Sequence, residues 1–252
     1  SVGGVQNIIG DECEEFTRRG IVYLHLCPVR PILNLTPEVQ PSEFHFAIRL
    51  CGRALGRIDG LALQEALGKQ VQKGISLHWT LHHLMGHSPE VVEQLIDVGA
   101  TGRPLFWIHD FFSVCTSYTL LRNDVLYCNA PPQSSPACRV CVYGPERDAH
   151  SERIRRLLDK LRPTIVAPSQ SALDLWSRAM KWTGSRGVVL PPARLLLKQT
   201  PRQTRTGPLR IAFLGRQAYH KGWEVFRQLA ETFNSDSRFE FYQFSEFPHG
   251  LP

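Results

Sequence analysis

An arginine and a lysine follow a glycine near the end of the chain, with a spacing suited to binding an anion. The segment IAFLGRQAYHKGWEVFRQL, residues 211–229, places Arg216 directly after Gly215 and Lys221 directly before Gly222. A strand that ends in glycine lets backbone amides approach a ligand closely, and the positive end of the following helix favours a phosphate. We therefore predict a phosphate site at the carboxyl end of this strand. The alternative is that both glycines are turn residues and both bases are solvated.

A second pair of glycines, Gly3 and Gly4, stands before a run of apolar residues with helical spacing. By the same argument, these two glycines offer an anion site at the N-terminus of a helix. The pattern of the chain leads us to expect a strand before this helix, and none precedes it. We therefore expect the first strand to be missing and the chain to be a fragment.

Four of the seven cysteines are spaced C-x12-C-x9-C-x2-C, which is suited to a metal. They are Cys115, Cys128, Cys138 and Cys141. Because four thiolates complete a tetrahedral shell around Zn²⁺ and leave no position for water, we predict a structural zinc site. Reduced thiols and a disulfide are the alternatives, since the group contains only one C-x-x-C pair. The other three cysteines, Cys13, Cys27 and Cys51, are predicted to be small core residues.

The segment HWTLHHLMGH contains four histidines, namely His78, His82, His83 and His87. On a helix three of them could share a face and bind a metal, which would suit a metal-dependent hydrolase. Residues 75–79 read as a strand, however, Gly86 and Pro89 bound a loop, and no glutamate lies inside the group. We therefore predict a loop that lines a ligand cleft, with His87 or His83 contacting phosphate or hydroxyl groups.

Helical and strand patterns alternate along the chain. The predicted strands are 21–27, 43–50, 75–79, 105–108, 164–168, 187–191 and 209–214. Helices are predicted after Val5, over 59–67, from Ser88 to Gly99, over 152–161, and after a capping box formed by Ser171 and Asp174. This alternation predicts an α/β fold with a mostly parallel, Rossmann-like sheet that is covered by helices on both faces.

A polar, basic segment rich in proline and threonine, residues 198–208, separates two predicted domains. Residues 1–197 form the first Rossmann-like domain, and residues 209–252 begin a second one. About 45 residues are below the size at which a chain usually buries its own core, so we expect the second domain to be truncated.

Four segments together resemble the family 4 retaining glycosyltransferases of the GT-B fold. The run FLGRQAYHKGWEVFRQLAE resembles the donor-site motif of that family, and GGVQNIIGDECEEFTRRG resembles its glycine loop and first helix. TIVAPSQSALDLW is similar to the segment that ends in a serine before a helix. LFWIHDFFSVCTSYTLL, followed by YC and CRVC, resembles the HD motif of a cysteine-containing subgroup. The segments occur in the order that the family requires and cover most of the chain.

The resemblance implies transfer of a sugar from a nucleotide-diphosphate donor to an acceptor hydroxyl, with retention at the anomeric carbon, in polysaccharide or glycoconjugate synthesis. It implies that Arg216 and Lys221 hold the diphosphate, that Gly4 brings its amide toward the same group, and that His109 lies near the donor sugar. By the same resemblance, Gly3, Gly215 and Ser169 belong to the donor site. No catalytic metal is required, because cations and helix dipoles neutralise the leaving group. A satisfied histidine at a strand end is the alternative for His109.

Two features depart from the family pattern. Pro191, Pro192 and Ala193 occupy the position of an Asn-Gly turn. The paired glutamates that grip the donor sugar and ribose would fall beyond Pro252. We therefore expect the activity of these residues alone to be low.

The composition is that of a globular protein, with a formal net charge of +6 that favours anionic partners. The sequence has no signal peptide and no apolar run long enough to span a bilayer, so we expect a cytoplasmic location, with peripheral contact at the inner face of the membrane as an option. The predicted partners are a nucleotide sugar and a saccharide or lipid-linked acceptor. The alternative is a non-catalytic anion-binding module, although aromatic residues are not interleaved with the basic ones as nucleic-acid binding would favour.

Overall fold

The computed structural model describes residues 4–30, 32–184, 187–193 and 207–245. These residues fall into two compact units, Ser1–Arg194 and Leu195–Pro252, so the predicted linker belongs to the second unit. Residues 198–206 of that linker lie outside the described residues, as does Gly3.

The first unit is mixed α/β. Its helices are α1 (Gly4–Arg18), α2 (Gly60–Gln72), α3 (Pro89–Asp97), α4 (Pro136–Arg139), α5 (Gly144–Leu161) and α6 (Gln170–Met180), with a 3₁₀ turn at Pro41–Glu43. Its strands are β1 (Leu24–Pro28), β2 (His45–Leu50), β3 (Arg53–Asp59), β4 (Thr80–Leu81), β5 (Leu105–Trp107), β6 (Leu121–Arg122), β7 (Leu126–Tyr127), β8 (Thr164–Ala167) and β9 (Gly187–Val189).

The expected parallel sheet is present in the order β4-β5-β8-β9, and all its strand pairs are parallel. Helices α3, α5 and α6 lie in the connections between its successive strands, as parallel pairing requires. A chain that enters each strand from a helix leaves all the carboxyl ends at one edge. Residues that directly follow β4, β5 and β8 are therefore brought to a common edge.

The prediction of a mostly parallel sheet is wrong for the first part of the unit. Strands β1, β2 and β3 form a separate antiparallel sheet in sequence order. Strand β3 was not predicted, and β2 reaches it through a tight turn in which Cys51 has φ 45° and Gly52 has φ 81°. Two consecutive residues with positive φ are typical of a hairpin turn, which makes the neighbouring strands antiparallel.

The core of this unit consists of two clusters. The larger one contains residues of the parallel strands and of α3, α5 and α6, including Phe106, Ile154, Leu157, Ile165 and Trp176. The smaller one joins the antiparallel sheet to α2 and α3 through Phe44, Phe46, Leu63, Leu67, Val91 and Leu95. Each fully buried side chain of this size stabilises the fold by about 1.5–3 kcal/mol.

An ion pair connects α3 to α5. Arg153 donates from Nε to Oε1 of Glu90 at 2.8 Å and from a terminal nitrogen to Oε2 at 2.5 Å, and it also donates to the carbonyl oxygen of Thr36. Ser88 occupies the N-cap position of α3 as the sequence pattern predicted, but its side chain forms no capping bond, and its hydroxyl donates to Oε2 of Glu90 at 2.8 Å. The buried serine therefore holds the carboxylate for Arg153.

Several predicted boundaries are wrong. Residues 75–79 contribute only an isolated bridge from Leu77, and the strand lies at Thr80–Leu81. Helix α6 is capped by Ser169, whose Oγ accepts from the Ala172 amide at 3.2 Å, so the capping box does not begin at Ser171. Helix α5 begins well before residue 152, because its core-facing stripe continues through buried polar residues.

The second unit contains β10 (Leu209–Leu214), a 3₁₀ turn at Tyr219–Lys221, α7 (Trp223–Thr232) and β11 (Phe239–Phe244). Strands β10 and β11 are parallel, with Leu209 opposite Phe239. Phe213 and Phe226 are buried in this unit, with ring centroids 5.5 Å apart. No helix in the described parts of either unit combines the length and apolar composition needed to cross a lipid bilayer.

Candidate functional site

Polar side chains gather at the carboxyl edge of the parallel sheet. His82 and His83 directly follow β4, and His109 and Asp110 come just after β5. Ser169 follows β8. Open α/β sheets bind their ligands at this edge, so the edge is the candidate site of the first unit.

A hydrogen-bonded chain runs from α1 to His109. The Nε2 of His82 lies 2.9 Å from Oε2 of Glu12, and its Nδ1 lies 3.1 Å from Nε2 of His109. Because a carboxylate only accepts, the proton of neutral His82 is on Nε2, and His109 donates from its Nε2 to His82. The remaining nitrogen of His109, Nδ1, is then a hydrogen-bond acceptor.

Stacked rings fix the orientation of His109. The rings of Trp107 and His109 are 5.2 Å apart and almost parallel, at 3°. His82 stacks on both, at 6.0 Å from Trp107 and 5.4 Å from His109. The imidazole of His109 therefore has little freedom to rotate.

His83 and Asp110 form a second polar pair at this edge. The Met85 amide donates to Nδ1 of His83 at 3.0 Å, so the proton of neutral His83 is on Nε2, which donates to Oδ2 of Asp110 at 3.0 Å. The other carboxylate oxygen of Asp110 accepts from the Phe112 amide at 2.9 Å. Asp110 thus orders the loop after β5 as well as His83.

His109 is held in its neutral form. Burial, followed by the neighbouring His82 and His83, lowers the pKa of His109 to about 4, and the carboxylates of Asp110 and Glu12 only partly oppose this. A neutral imidazole keeps a lone pair free at neutral pH, so His109 can accept a hydrogen bond from a hydroxyl group.

The structure places His87 in a packing role that differs from the predicted phosphate contact. Its ring stacks on Phe44 and lies 6.0 Å from the ring of Phe46, and its Nδ1 is buried without a hydrogen-bond partner among the described residues. Burial, with His83 and His25 nearby, lowers the pKa of His87 to about 4. A neutral, buried ring is poorly suited to binding phosphate.

The histidine segment does not form a helix. Residues 82–88 form a loop between β4 and α3, so the four histidines do not share a helix face. Among the described residues, no group of three or more His, Cys, Asp or Glu side chains is arranged to hold a metal ion. Two of the histidines, His82 and His83, take part in the hydrogen bonds described above.

The glycine and serine positions predicted for the donor site differ in their surroundings. Gly4 is the first residue of α1, and an added Cβ would meet nothing within 4 Å, so its backbone is open to a ligand. The hydroxyl of Ser169 accepts the capping hydrogen bond of α6. Ser169 can still donate, because a hydroxyl has one proton as well as acceptor lone pairs.

In the second unit, Arg216 and Lys221 lie beyond the carboxyl end of β10. Both side chains are exposed, and neither forms an ion pair within the parts of the chain that the structure describes. The Nζ of Lys221 lies 3.9 Å from the position that a Cβ would take on Gly215, which has φ 107°. The Gly215 amide donates to the carbonyl oxygen of Phe244 at 2.8 Å. Gly215 therefore leaves room for the ammonium group, while its own N–H is already used.

The four clustered cysteines line one small cavity of ≈ 20 Å³. All seven cysteines are free thiols, and Cys115 and Cys138 are buried. Cys13, Cys27 and Cys51 are half-buried, which is less than expected for core residues. The sequence spacing therefore identified a group of thiols that the fold brings together.

A larger cavity, of ≈ 430 Å³, lies along α5 and the end of α6. Its lining includes Asp148, Glu152, Arg155 and Lys181, side chains of both charges. None of the histidines at the sheet edge contributes to it. We place the candidate site at the sheet edge, because acids, bases and a strongly shifted histidine pKa converge there.

Sequence reasoning missed the residues that support the predicted ones. Glu12 lies on α1, distant in sequence from His82, and no local pattern links the two. His25 was assigned only to a buried strand and not to the site. In the structure, burial lowers the pKa of its imidazole, and the nearby His82 and Arg49 lower it further. Arg147 could have been recognised as a buried charge from the sequence, because it lies seven residues before Ile154 and so on the core-facing side of α5.

Comparisons with known proteins add no family to this geometry: no family model, curated protein or solved structure matches the chain.

Proposed function

We propose that the chain belongs to a retaining glycosyltransferase that transfers a sugar from a nucleotide-diphosphate donor to an acceptor hydroxyl. The observation that carries the proposal is the placement of Arg216 and Lys221, two exposed cations beyond the carboxyl end of a parallel strand, with Nζ of Lys221 close to Gly215. Two cations without ion-pair partners in the described ranges suit a ligand that carries at least two negative charges.

The chemistry requires stabilisation of a departing diphosphate. As the glycosidic bond breaks, negative charge grows on the leaving oxygen, and a preorganised cation stabilises that charge more than it stabilises the bound donor. Lys221 and Arg216 would supply this stabilisation without a catalytic metal. The positive end of α7, which follows Gly222, adds to it.

At the sheet edge of the first unit, His109 would bind a hydroxyl group of a sugar. Its neutral imidazole accepts at Nδ1, while Nε2 donates to His82 and is thereby linked to Glu12. A proton shared with the sugar hydroxyl would be stabilised along this chain by the carboxylate. The acceptor would be a saccharide or a lipid-linked sugar.

The test measures nucleoside diphosphate release by the full-length protein from a panel of nucleotide sugars, with and without saccharide acceptors. We expect Lys221→Ala to lower turnover by about two orders of magnitude or more, the scale of removing one preorganised charge. Arg238→Ala is the matched control, because Arg238 directly precedes β11 and so lies at the opposite edge of the two-stranded sheet. Its turnover should change by less than about twofold, since it lies away from the carboxyl edge.

Two results would contradict the proposal. One is an unchanged turnover in Lys221→Ala, which would remove Lys221 from the site. The other is an absence of turnover for every nucleotide sugar, combined with tight, salt-sensitive binding to nucleic acid, which would favour an anion-binding module.

A further inference from the structure

We propose that Cys115, Cys128, Cys138 and Cys141 bind one structural zinc ion in the cavity that they line. This site is independent of the proposed transferase chemistry. Its predicted role is to fix the loop that follows Asp110.

Three separate segments bring the four thiols together. Cys115 lies in the loop after β5, and Cys128 follows β7, with its amide bonded to the carbonyl oxygen of Leu120 at 2.9 Å. Cys138 lies on α4, and the Cys141 amide donates to the Cys138 carbonyl oxygen at 3.1 Å. The hairpin β6–β7 and the turn of α4 thus converge on one cavity, as in sites that tie short elements around a metal.

The size and lining of the cavity select its occupant. A volume of ≈ 20 Å³ has room for a single ion or a water molecule but not for an organic ligand. The residues that line it include the four cysteines but no aspartate, glutamate or histidine. Sulfur ligands select zinc over magnesium or calcium, which bind through oxygen.

A buried arginine supplies a second, independent observation. Arg147 is only 5% exposed, and no carboxylate among the described residues pairs with it. One terminal nitrogen lies 2.9 Å from Sγ of Cys138 and 2.9 Å from the carbonyl oxygen of Pro131, and Nε lies 3.4 Å from the carbonyl oxygen of Val114. Its guanidinium therefore contacts the three segments that carry the cysteines.

Arg147 is hydrogen-bonded to two carbonyl oxygens and one sulfur but not to a carboxylate in the described ranges, so a negative charge nearby would lower the cost of burying its guanidinium. Zinc bound by four thiolates has a formal charge of about −2, and Arg147 would neutralise part of it. Binding of Zn²⁺ to the four thiols releases their protons to solvent. Among the described residues no three such side chains already meet at a common point, so binding of the ion requires the four thiols to turn toward the centre of the cavity. For cysteine this is a rotation about one bond.

Zinc at this position would restrain the candidate site of the first unit. Between Asp110 and Cys115, the Phe112 amide donates to Asp110, and Trp176 donates to the hydroxyl of Ser113 at 2.7 Å. Release of the metal would free one end of this short loop. The loop that follows Asp110 would then depend on its remaining hydrogen bonds, such as the one from Trp176 to Ser113.

The test uses full-length protein purified without chelators, and metal is measured by plasma mass spectrometry. We expect close to one zinc per chain, which dialysis does not remove. Replacement by Co²⁺ should give the visible bands of tetrahedral cobalt and a strong sulfur-to-cobalt charge-transfer band. Cys128→Ser and Cys141→Ser should each lower zinc content severalfold, whereas the control Cys27→Ser, on β1, should not.

Arg147→Met probes the charge argument separately. We expect it to weaken zinc binding about 10-fold or more in competition with a chromophoric chelator, since outer-shell partners contribute on this scale. An unchanged affinity would overturn the role of Arg147.

Cobalt and zinc measurements on the unmodified protein keep the metal site testable even where a variant does not fold. Zinc far below one per chain, with all four thiols reacting freely with a thiol reagent in the native protein, would overturn the site. A disulfide among these cysteines in freshly purified, zinc-supplemented protein would overturn it as well. Metal content is measured without any sugar donor, so failure of this inference and failure of the transferase proposal are distinguishable.

Discussion

Replacing His87 by phenylalanine should reduce the loss of folding stability at acid pH. Burial, with His83 and His25 nearby, lowers the pKa of His87 from 6.5 to about 4. Between these two values the unfolded chain binds a proton at His87 that the folded chain does not. The stability of the wild-type protein therefore decreases as the pH falls through this window, and it is fully present above about pH 6.5.

The magnitude follows from the difference in proton binding. One pKa unit corresponds to about 1.36 kcal/mol, so the penalty relative to pH 8 is about 1.4 kcal/mol at pH 5.5 and about 3 kcal/mol at pH 4. Phenylalanine does not titrate and suits the contacts with Phe44 and Phe46. At pH 8 the free energy of unfolding should thus change by less than about 1.5 kcal/mol, and His87→Phe should become the more stable protein as the pH falls.

Urea unfolding at pH 8, 7, 6 and 5.5, monitored by tryptophan fluorescence, measures the effect. The matched control is His45→Phe, because His45 is exposed at the start of β2. Parallel pH profiles for His87→Phe and wild type would refute the assignment of a neutral, buried ring. A large loss of turnover in His87→Phe at pH 8, with normal stability, would instead restore the predicted contact with the donor.

Three further predictions concern the sheet edge and the packing around α3. Because the pKa of His109 is about 4, turnover should stay flat from pH 8 to about 5, and His109→Gln should lower it about 10-fold or more. Burial opposes ionisation of Glu90, but hydrogen bonds, led by the one from Arg153, lower its pKa to about 2. Glu90→Gln should therefore lower the free energy of unfolding by about 1 kcal/mol at pH 7, a modest loss because the ion pair is partly exposed. The loss should shrink as the pH falls from about 4.5 toward 2, and an equal loss at pH 3 would contradict this. In Gly60→Ala the new Cβ would lie 2.8 Å from the carbonyl oxygen of Pro41. The midpoint urea concentration should therefore fall by the equivalent of about 1–3 kcal/mol. An unchanged midpoint would show that the backbone shifts to relieve this contact.

The parallel sheet was predictable because its strands leave a strong local signal. Residues 105–107, 164–167 and 187–189 are short apolar runs, and each precedes or follows a helical pattern. The antiparallel sheet was not predictable, because β3 lacks an apolar pattern: it carries Arg53, Gly56 and Arg57, and its residues 53–57 are exposed. Its place in the sheet depends on pairing with β2, which a single strand's sequence does not encode.

The candidate site was predictable to the extent that its residues follow strands. His109 was identified by the resemblance, and His83 was predicted to lie in a loop that lines a ligand cleft, whereas His82 was considered only as part of a possible metal group. Glu12 was not identified, because its link to His82 spans 70 positions and depends on how α1 packs. The errors in the predicted role of His87 and in the predicted helix and strand boundaries have the same cause, because long-range contacts determine both.

Helix α1 has no fully buried residue, although it supplies the carboxylate for His82. Its link to the rest of the unit includes the Glu12 hydrogen bonds to His82 and Tyr23 and the stacking of Phe16 on Tyr23. Local opening costs least where apolar contacts are few, so amide hydrogens of α1 should exchange with solvent sooner than those of α5. The hydrogen-bonded chain from Glu12 through His82 to His109 would then form only while α1 is docked. Opening of this one helix would remove the carboxylate from His82.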